Sequence, residues 1–231
     1  MNSGESVKFV VKDAERLADV VLSKADGGQY LESGLKERLA ASAEGMSFVV
    51  EVEEYGGLRS LLDDLAGENS GLVSASPDVV ILSLAADMDR LKEVGASETA
   101  LAAVRADLVA AIRQIKQKVG AHILVANVST LDPSNPVFNY HGVSEEPWTL
   151  RGHRLNLMLI GVSHDEGISI IDIDRRIAEV GGDQAVVGAA RYSEIGCAAI
   201  VDEVARIVED YGFLDDRPLM EQVGAAAGGG S

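Results

Sequence analysis

Five strand-length runs rich in β-branched residues recur along the chain: Val7 to Val11, Phe48 to Val52, Val79 to Leu84, His122 to Val128 and Ile168 to Ile173. Each is nearly continuous in apolar residues, not alternating, which is the pattern of strands covered on both faces. Helix-length segments separate them. The clearest follows Ser97, a suitable N-cap, and sets Leu101, Val104, Leu108, Ile112, Ile115 and Val119 at steps of three or four before Gly120 stops it. A second begins near Ser193 and carries Ile200, Val204, Ile207, Val208 and Tyr211 on one face, closing the domain.

Strands alternating with helices imply a parallel sheet with right-handed crossovers between two helical layers. The fold class is therefore α/β: a three-layer α/β/α sandwich on a flavodoxin-like five-stranded parallel sheet. Residues 1–223 form a single domain, and 224–231, GAAAGGGS, read as a flexible tail or linker. In such sheets ligands bind beyond the carboxyl ends of the strands. The loops that matter thus begin near Lys12, Glu53, Ala85, Ser129 and Asp174. The stretch from Ser129 to Trp148 contains Pro133, Pro136 and Pro147 and reads as a long ordered loop, a lid or a partner surface.

Composition narrows the partners. Thirty-seven acidic against 20 basic side chains give a formal charge of −17, which repels phosphate backbones and anionic lipid, so neither nucleic acid nor membrane is expected. The single cysteine, Cys197, excludes an internal disulfide and the paired-cysteine zinc patterns. Its apolar surroundings make it a core residue. His122, His141, His153 and His164 form no compact ligand motif, so neither metal nor cofactor is expected. The N-terminus lacks a signal-peptide pattern and no apolar run reaches the roughly 20 residues of a membrane span. A cytoplasmic protein is the expectation.

The blocks PDVVILSLAADMD (77–89), HILVANVST (122–130), ISIIDIDRRIAE (168–179) and GAARYSEIGCAAIVDEV (188–204), in that order, resemble the SGNH (GDSL-type) hydrolases over nearly the whole domain. That family carries a GDS turn after its first strand, a glycine in its second block, a GxND-like third block and a DxxH motif before its last helix. Serine is the nucleophile, histidine the base and aspartate its orienter; the serine amide, glycine and asparagine make the oxyanion hole.

This chain is a degenerate match. Lys12-Asp13-Ala14 stands at the GDS position, which puts Ala14 where the nucleophile belongs. Gly56 or Gly57 stands for the second-block glycine, and Asp87 replaces the asparagine, so that a carboxylate would face a developing oxyanion. Gly188 and Arg191 take the places of orienter and base, and arginine stays protonated at neutral pH. Ordinary serine-ester hydrolysis is not expected.

Other chemistry is thinner. Arg151, His153 and Arg154, with Arg191, could gather an anionic small molecule by paired hydrogen bonds, or could simply pair with the abundant carboxylates. Asp13, Gly57, Asp87, His141 and Trp148 complete the candidate ligand or interface set; Trp148, the only tryptophan, is either an interface anchor or a pin to the domain's own core. Asp172 and Asp174 divide between capping the next helix and crossing the sheet end. Asp87 and Asp89 have the spacing of an acid/base pair.

Three functions follow as expectations. The first is a noncatalytic subunit that binds and supports a homologous catalytic protein, as a hetero-oligomer or homo-oligomer, in small-molecule biosynthesis. The second is a repurposed lyase or transferase acting on an anionic substrate. The third is a ligand-binding module.

Overall fold

A computed structural model of the chain describes residues 6–13, 30–42, 47–54, 56–67, 70–92, 97–131, 146–188 and 191–210. In chain order the elements are β1 (Ser6–Asp13), α1 (Tyr30–Ser42), β2 (Ser47–Glu54), α2 (Leu58–Ala66), α3 (Gly71–Ala75), β3 (Val79–Ser83), a 3-10 helix (Ala85–Leu91) and α4 (Ser97–Lys118). Then come β4 (His122–Ala126), α5 (Trp148–Glu166), β5 (Ser169–Ile171), α6 (Ile173–Glu179), a 3-10 turn (Gly182–Gln184), β6 (Val186–Gly188), β7 (Arg191–Tyr192) and α7 (Glu194–Asp210).

The five long-sequence strands pair entirely in parallel in the order β2-β1-β3-β4-β5. This is the flavodoxin-like order, whose reversal between β1 and β3 opens a crevice at the strand ends. The pleat sorts side chains to the two faces. Val10, Val80, Leu82, Ile123 and Val125 face one core with α2, α4 and α5. Phe9, Val11, Val79, Ile81, Leu124 and Ala126 face the other with α1 and α7. Because both faces are covered, the strands need apolar residues at every position, which is why they read as continuous runs.

The expected helices form for the expected reasons. In α4 the stripe residues Val104, Leu108, Ile112 and Ile115 are buried, and Gly120, at φ +76°, receives the chain as it turns into β4. Its N–H donates to the Ile115 carbonyl at 3.1 Å. The closing helix α7 buries Ile200, Val204, Ile207 and Val208, and Cys197 is buried with them.

Two elements depart from the reading of the sequence. The strands end earlier than their apolar runs, β3 at Ser83, β4 at Ala126 and β5 at Ile171, because the residues beyond turn inward to line the loops. Gly188 and Arg191 lie on a short antiparallel hairpin, β6 with β7, that the sequence pattern does not announce. This hairpin is packed so closely on α7 that a Cβ at Gly196 would stand 2.3 Å from the Ala185 carbonyl oxygen. Residues 132–145 of the long loop, and with them His141, lie outside the described residues, as do Ala14 and the 224–231 tail. Trp148 is not loop but the first residue of α5.

Candidate functional site

The strand-end crevice is built from the segments after β2 and β3. Gly57, at φ +98°, turns the chain into α2, and glycine has no side chain with which to cap that helix. The cap comes from elsewhere. Asp87, in the 3-10 helix after β3, accepts the Leu58 N–H at 3.1 Å through Oδ2, placing a carboxylate at the positive end of α2. A Cβ at Gly57 would come within 3.2 Å of that same oxygen, so the approach depends on glycine.

The second Asp87 oxygen accepts from Arg90 at 2.8 Å, and Arg90 also donates to Asp107 of α4 at 2.6 Å. Asp87 is only 2% exposed. Burial pushes its carboxyl above the usual range, while Arg90 and the Leu58 amide pull the other way. Both carboxylate oxygens are thus committed, one to a helix terminus and one to a guanidinium. Asp89, by contrast, is exposed and paired with Lys92 at 3.0 Å, so the two aspartates diverge and do not form an acid/base pair.

The arginines expected to gather an anion do not converge. Arg151 is buried and donates to the Met88 carbonyl at 2.7 Å, with its guanidinium 5.6 Å from the centre of the Trp148 ring. Arg154 is tied to Glu146 at 2.6 Å. Arg191 is exposed on the hairpin, its aliphatic stem lying over Gly188 at 3.5 Å from where a Cβ would be. Adjacency in sequence does not become a common site because α5 turns 151 and 154 towards the body of the domain while 153 faces solvent, and Arg154 takes the carboxylate pairing that the sequence left open.

Trp148 takes the inward of its two roles. It is 4% exposed, and its indole Nε1 donates to the Ser129 carbonyl at 2.8 Å. It therefore pins the start of α5 to the loop after β4, and no interface can use its ring while the domain is folded.

A concavity lies beside β5 and reaches the carboxyl ends of β4 and β5. It is a groove of about 420 Å³ between α5, α6 and α7. Its upper end is polar and rigid. Asn127 donates to Asp172 at 2.8 Å and accepts the Asp174 N–H at 3.2 Å, while Asp174 accepts from both N–H and Oγ1 of Thr130. Asp172 also caps α6 by accepting the Arg175 N–H. Asp172 and Asp174 thus share the work as the sequence allows: one caps, the other crosses to the neighbouring loop. Asn156 completes the join by accepting the Val128 N–H at 3.1 Å and donating to its carbonyl at 2.9 Å. His153 lines this end too.

The groove's floor holds Glu203, 2% exposed, which accepts from Arg175 at 2.9 Å and from Arg206 at 2.8 and 3.1 Å. Burial alone would raise this carboxyl, but Arg206 and Arg175 outweigh it and hold it below the usual carboxylate range. Sequence reasoning missed the groove. Its signal was present in α5, where Leu157 and Ile160 fall outside the buried stripe of Leu155, Leu159 and Val162.

Comparison with solved structures places this architecture. A lipase/acylhydrolase from Enterococcus faecalis superposes with a TM-score of 0.64 at 16% identity, covering 89% of this chain and 96% of its own. A catalytic mutant of the acetylxylan esterase Axe2 from Geobacillus stearothermophilus gives 0.59 at 15% identity, covering 92% and 96%. A member of the lipolytic G-D-S-L family from Veillonella parvula DSM 2008 gives 0.56 at 14%, covering 89% and 98%. The fold is that of the SGNH hydrolases. No family model matches the sequence, and neither does any curated protein. Within this fold Gly57 and Asp87 lie side by side, at the segments that follow β2 and β3. Among the described residues no cluster of His, Cys, Asp or Glu could hold a metal, and no helix is long and apolar enough to cross a membrane.

Proposed function

We infer that this chain is a noncatalytic SGNH-fold subunit that binds and supports a related catalytic protein. One observation carries the reading. At the position that the resemblance of the sequence blocks implies for the oxyanion-stabilising asparagine, Asp87 presents a carboxylate whose two oxygens are held by the Leu58 amide and Arg90. An ionised carboxylate only accepts hydrogen bonds, so it cannot donate to a tetrahedral oxyanion, and its charge opposes one. It also consumes an N–H at the head of α2, a donor that could otherwise face the crevice. The substitution is built into the packing, since Gly57 gives it room and Asp107 shares its arginine.

Ala14 and Arg191 agree with this reading from the sequence side, because neither a methyl group nor a protonated guanidinium can serve as nucleophile or base. The repurposed-enzyme alternative loses its anion clamp, since Arg151 and Arg154 are spent on internal partners.

The test has two parts. The purified chain, assayed on p-nitrophenyl acetate and butyrate, is expected to hydrolyse neither above a heat-inactivated control, and Ala14→Ser is expected to leave it inactive. Vigorous turnover by Ala14→Ser would overturn the reading. The second part is co-expression with an active SGNH hydrolase encoded beside it: a stable complex with raised activity of that hydrolase is expected, and full function of the chain as a lone monomer counts against it.

A further inference from the structure

The outward stripe of α5 differs from those of the other long helices among the described residues. Before the last turn its exposed positions are His153, Leu157, Ile160, Gly161 and His164, at steps that bring them into one line. Leu157 is 70% and Ile160 59% exposed. No carboxylate occurs between Trp148 and His164. The other exposed helix faces are charged, with Lys36 and Glu37 on α1, Asp63 on α2, Arg105 on α4, and Asp202 and Arg206 on α7. Two copies of a chain of formal charge −17 repel over most of their surface, and a stripe free of carboxylates is where that repulsion is weakest.

Gly161 is a second observation. Glycine weakens a helix interior relative to alanine, and nothing within the domain calls for it here, since a Cβ at this position would meet no atom within 4 Å. It leaves room for a second helix to come close. The groove supplies depth, because Leu157 and Ile160 line it with Ile170 and leave a recess for apolar side chains arriving from outside.

The stripe is also palindromic. His153, Leu157, Ile160 and His164 follow at intervals of four, three and four. A two-fold axis passing between positions 158 and 159 therefore maps the stripe onto itself with the helices antiparallel, Leu157 level with the partner's Ile160 and His153 with the partner's His164. An isologous contact requires this self-complementarity, since residue i meets j and j meets i. We propose that a second copy of this chain docks here, α5 against α5, with the helix axes about 8 to 10 Å apart. The stripe is only about 17 Å long, a contact smaller than the roughly 1,200 Å² of a stable complex, so dimer and monomer exchange at micromolar concentrations. This holds or fails independently of whether the crevice is catalytic.

Sedimentation equilibrium of the full chain from about 1 to 200 μM tests it. The expected result is a mass rising with concentration from that of a monomer towards that of a dimer. Leu157→Asp/Ile160→Asp should weaken the dimer by at least roughly tenfold, by setting carboxylates of two copies face to face. Gly161→Glu should do the same while holding or raising Tm, because its side chain enters open space and glutamate is the better helix former; it thus separates loss of contact from loss of fold. A photoreactive benzoylphenylalanine at position 157 should in parallel cross-link two chains, through α5 or β5 of the second copy. A mass that stays monomeric across the whole range overturns the proposal. So does a dimer that either variant leaves intact, and so does a cross-link from position 157 that stays within one chain.

Discussion

Glu203→Gln is the sharpest probe of how the β5 side of the domain is held. Gln keeps the shape and one acceptor oxygen but removes the charge that Arg175 and Arg206 share and that Arg176 approaches to 3.7 Å. Breaking a fully buried ion pair costs about 3 to 5 kcal/mol because the abandoned charge stays buried. Here both arginine side chains are nearly half exposed and regain water when released, so a loss of about 2 kcal/mol at pH 7 is the expectation. For a domain of this size that corresponds to a Tm lowered by roughly 4 to 8 °C. The pH dependence gives the mechanism. Glu203's folded pKa is depressed, so its contribution is complete above the ordinary carboxylate pKa and disappears as pH falls through the folded value. Urea denaturation followed by circular dichroism from pH 7 to pH 3.5 should show the gap between wild type and variant constant down to about pH 5 and closing below it. A gap independent of pH, or a variant as stable as wild type at pH 7, would refute the argument.

Further outcomes follow from single contacts. Trp148→Phe keeps most of the buried area but loses the indole hydrogen bond to Ser129, and should cost about 1 to 2 kcal/mol in urea denaturation while leaving the oligomeric state on a sizing column unchanged. Gly196→Ala drives a methyl group into the Ala185 carbonyl and should lower stability by about 2 to 3 kcal/mol, read as a fall in Tm; an unchanged Tm would mean that the hairpin yields freely. Asn156→Ala removes both partners of Val128's peptide groups and should cost about 2 kcal/mol, with faster amide exchange confined to the loop after β4.

Much of the architecture was legible because two-sided burial leaves a coarse signature. Val79 to Ser83 and His122 to Ala126 are apolar nearly throughout, and α4's stripe has an unambiguous helical period. The β6-β7 hairpin was not legible, since strands of three and two residues are too short to show any period. At the site, the neighbourhood of Gly57 and Asp87 followed from the order of the blocks, but the commitment of both Asp87 oxygens did not. It depends on Arg90 sitting one turn along the 3-10 helix and on Asp107 approaching from α4. The choice between the two roles open to Arg151 and Arg154 was not legible for a related reason: charge in a sequence shows no partner, and the Met88 carbonyl and Glu146 supply partners only once the chain is folded. The groove went unseen because its walls come from α5, α6 and α7, which are far apart in sequence and meet only in the folded chain.

The Gly57, Asp87, Arg90 and Asp107 cluster has a bearing on the paths open to this sequence over time. Replacing Asp87 by the amide that the resemblance implies at this position deprives Arg90 of one of its two carboxylates. Arg90 then keeps only Asp107, at 2.6 Å, and the head of α2 loses the negative charge beside it. The lost charged contacts are set against a fold whose whole margin is only about 5 to 15 kcal/mol. Any change of function at this position thus meets a barrier made of stability, because the first step costs contacts before it gives anything in return.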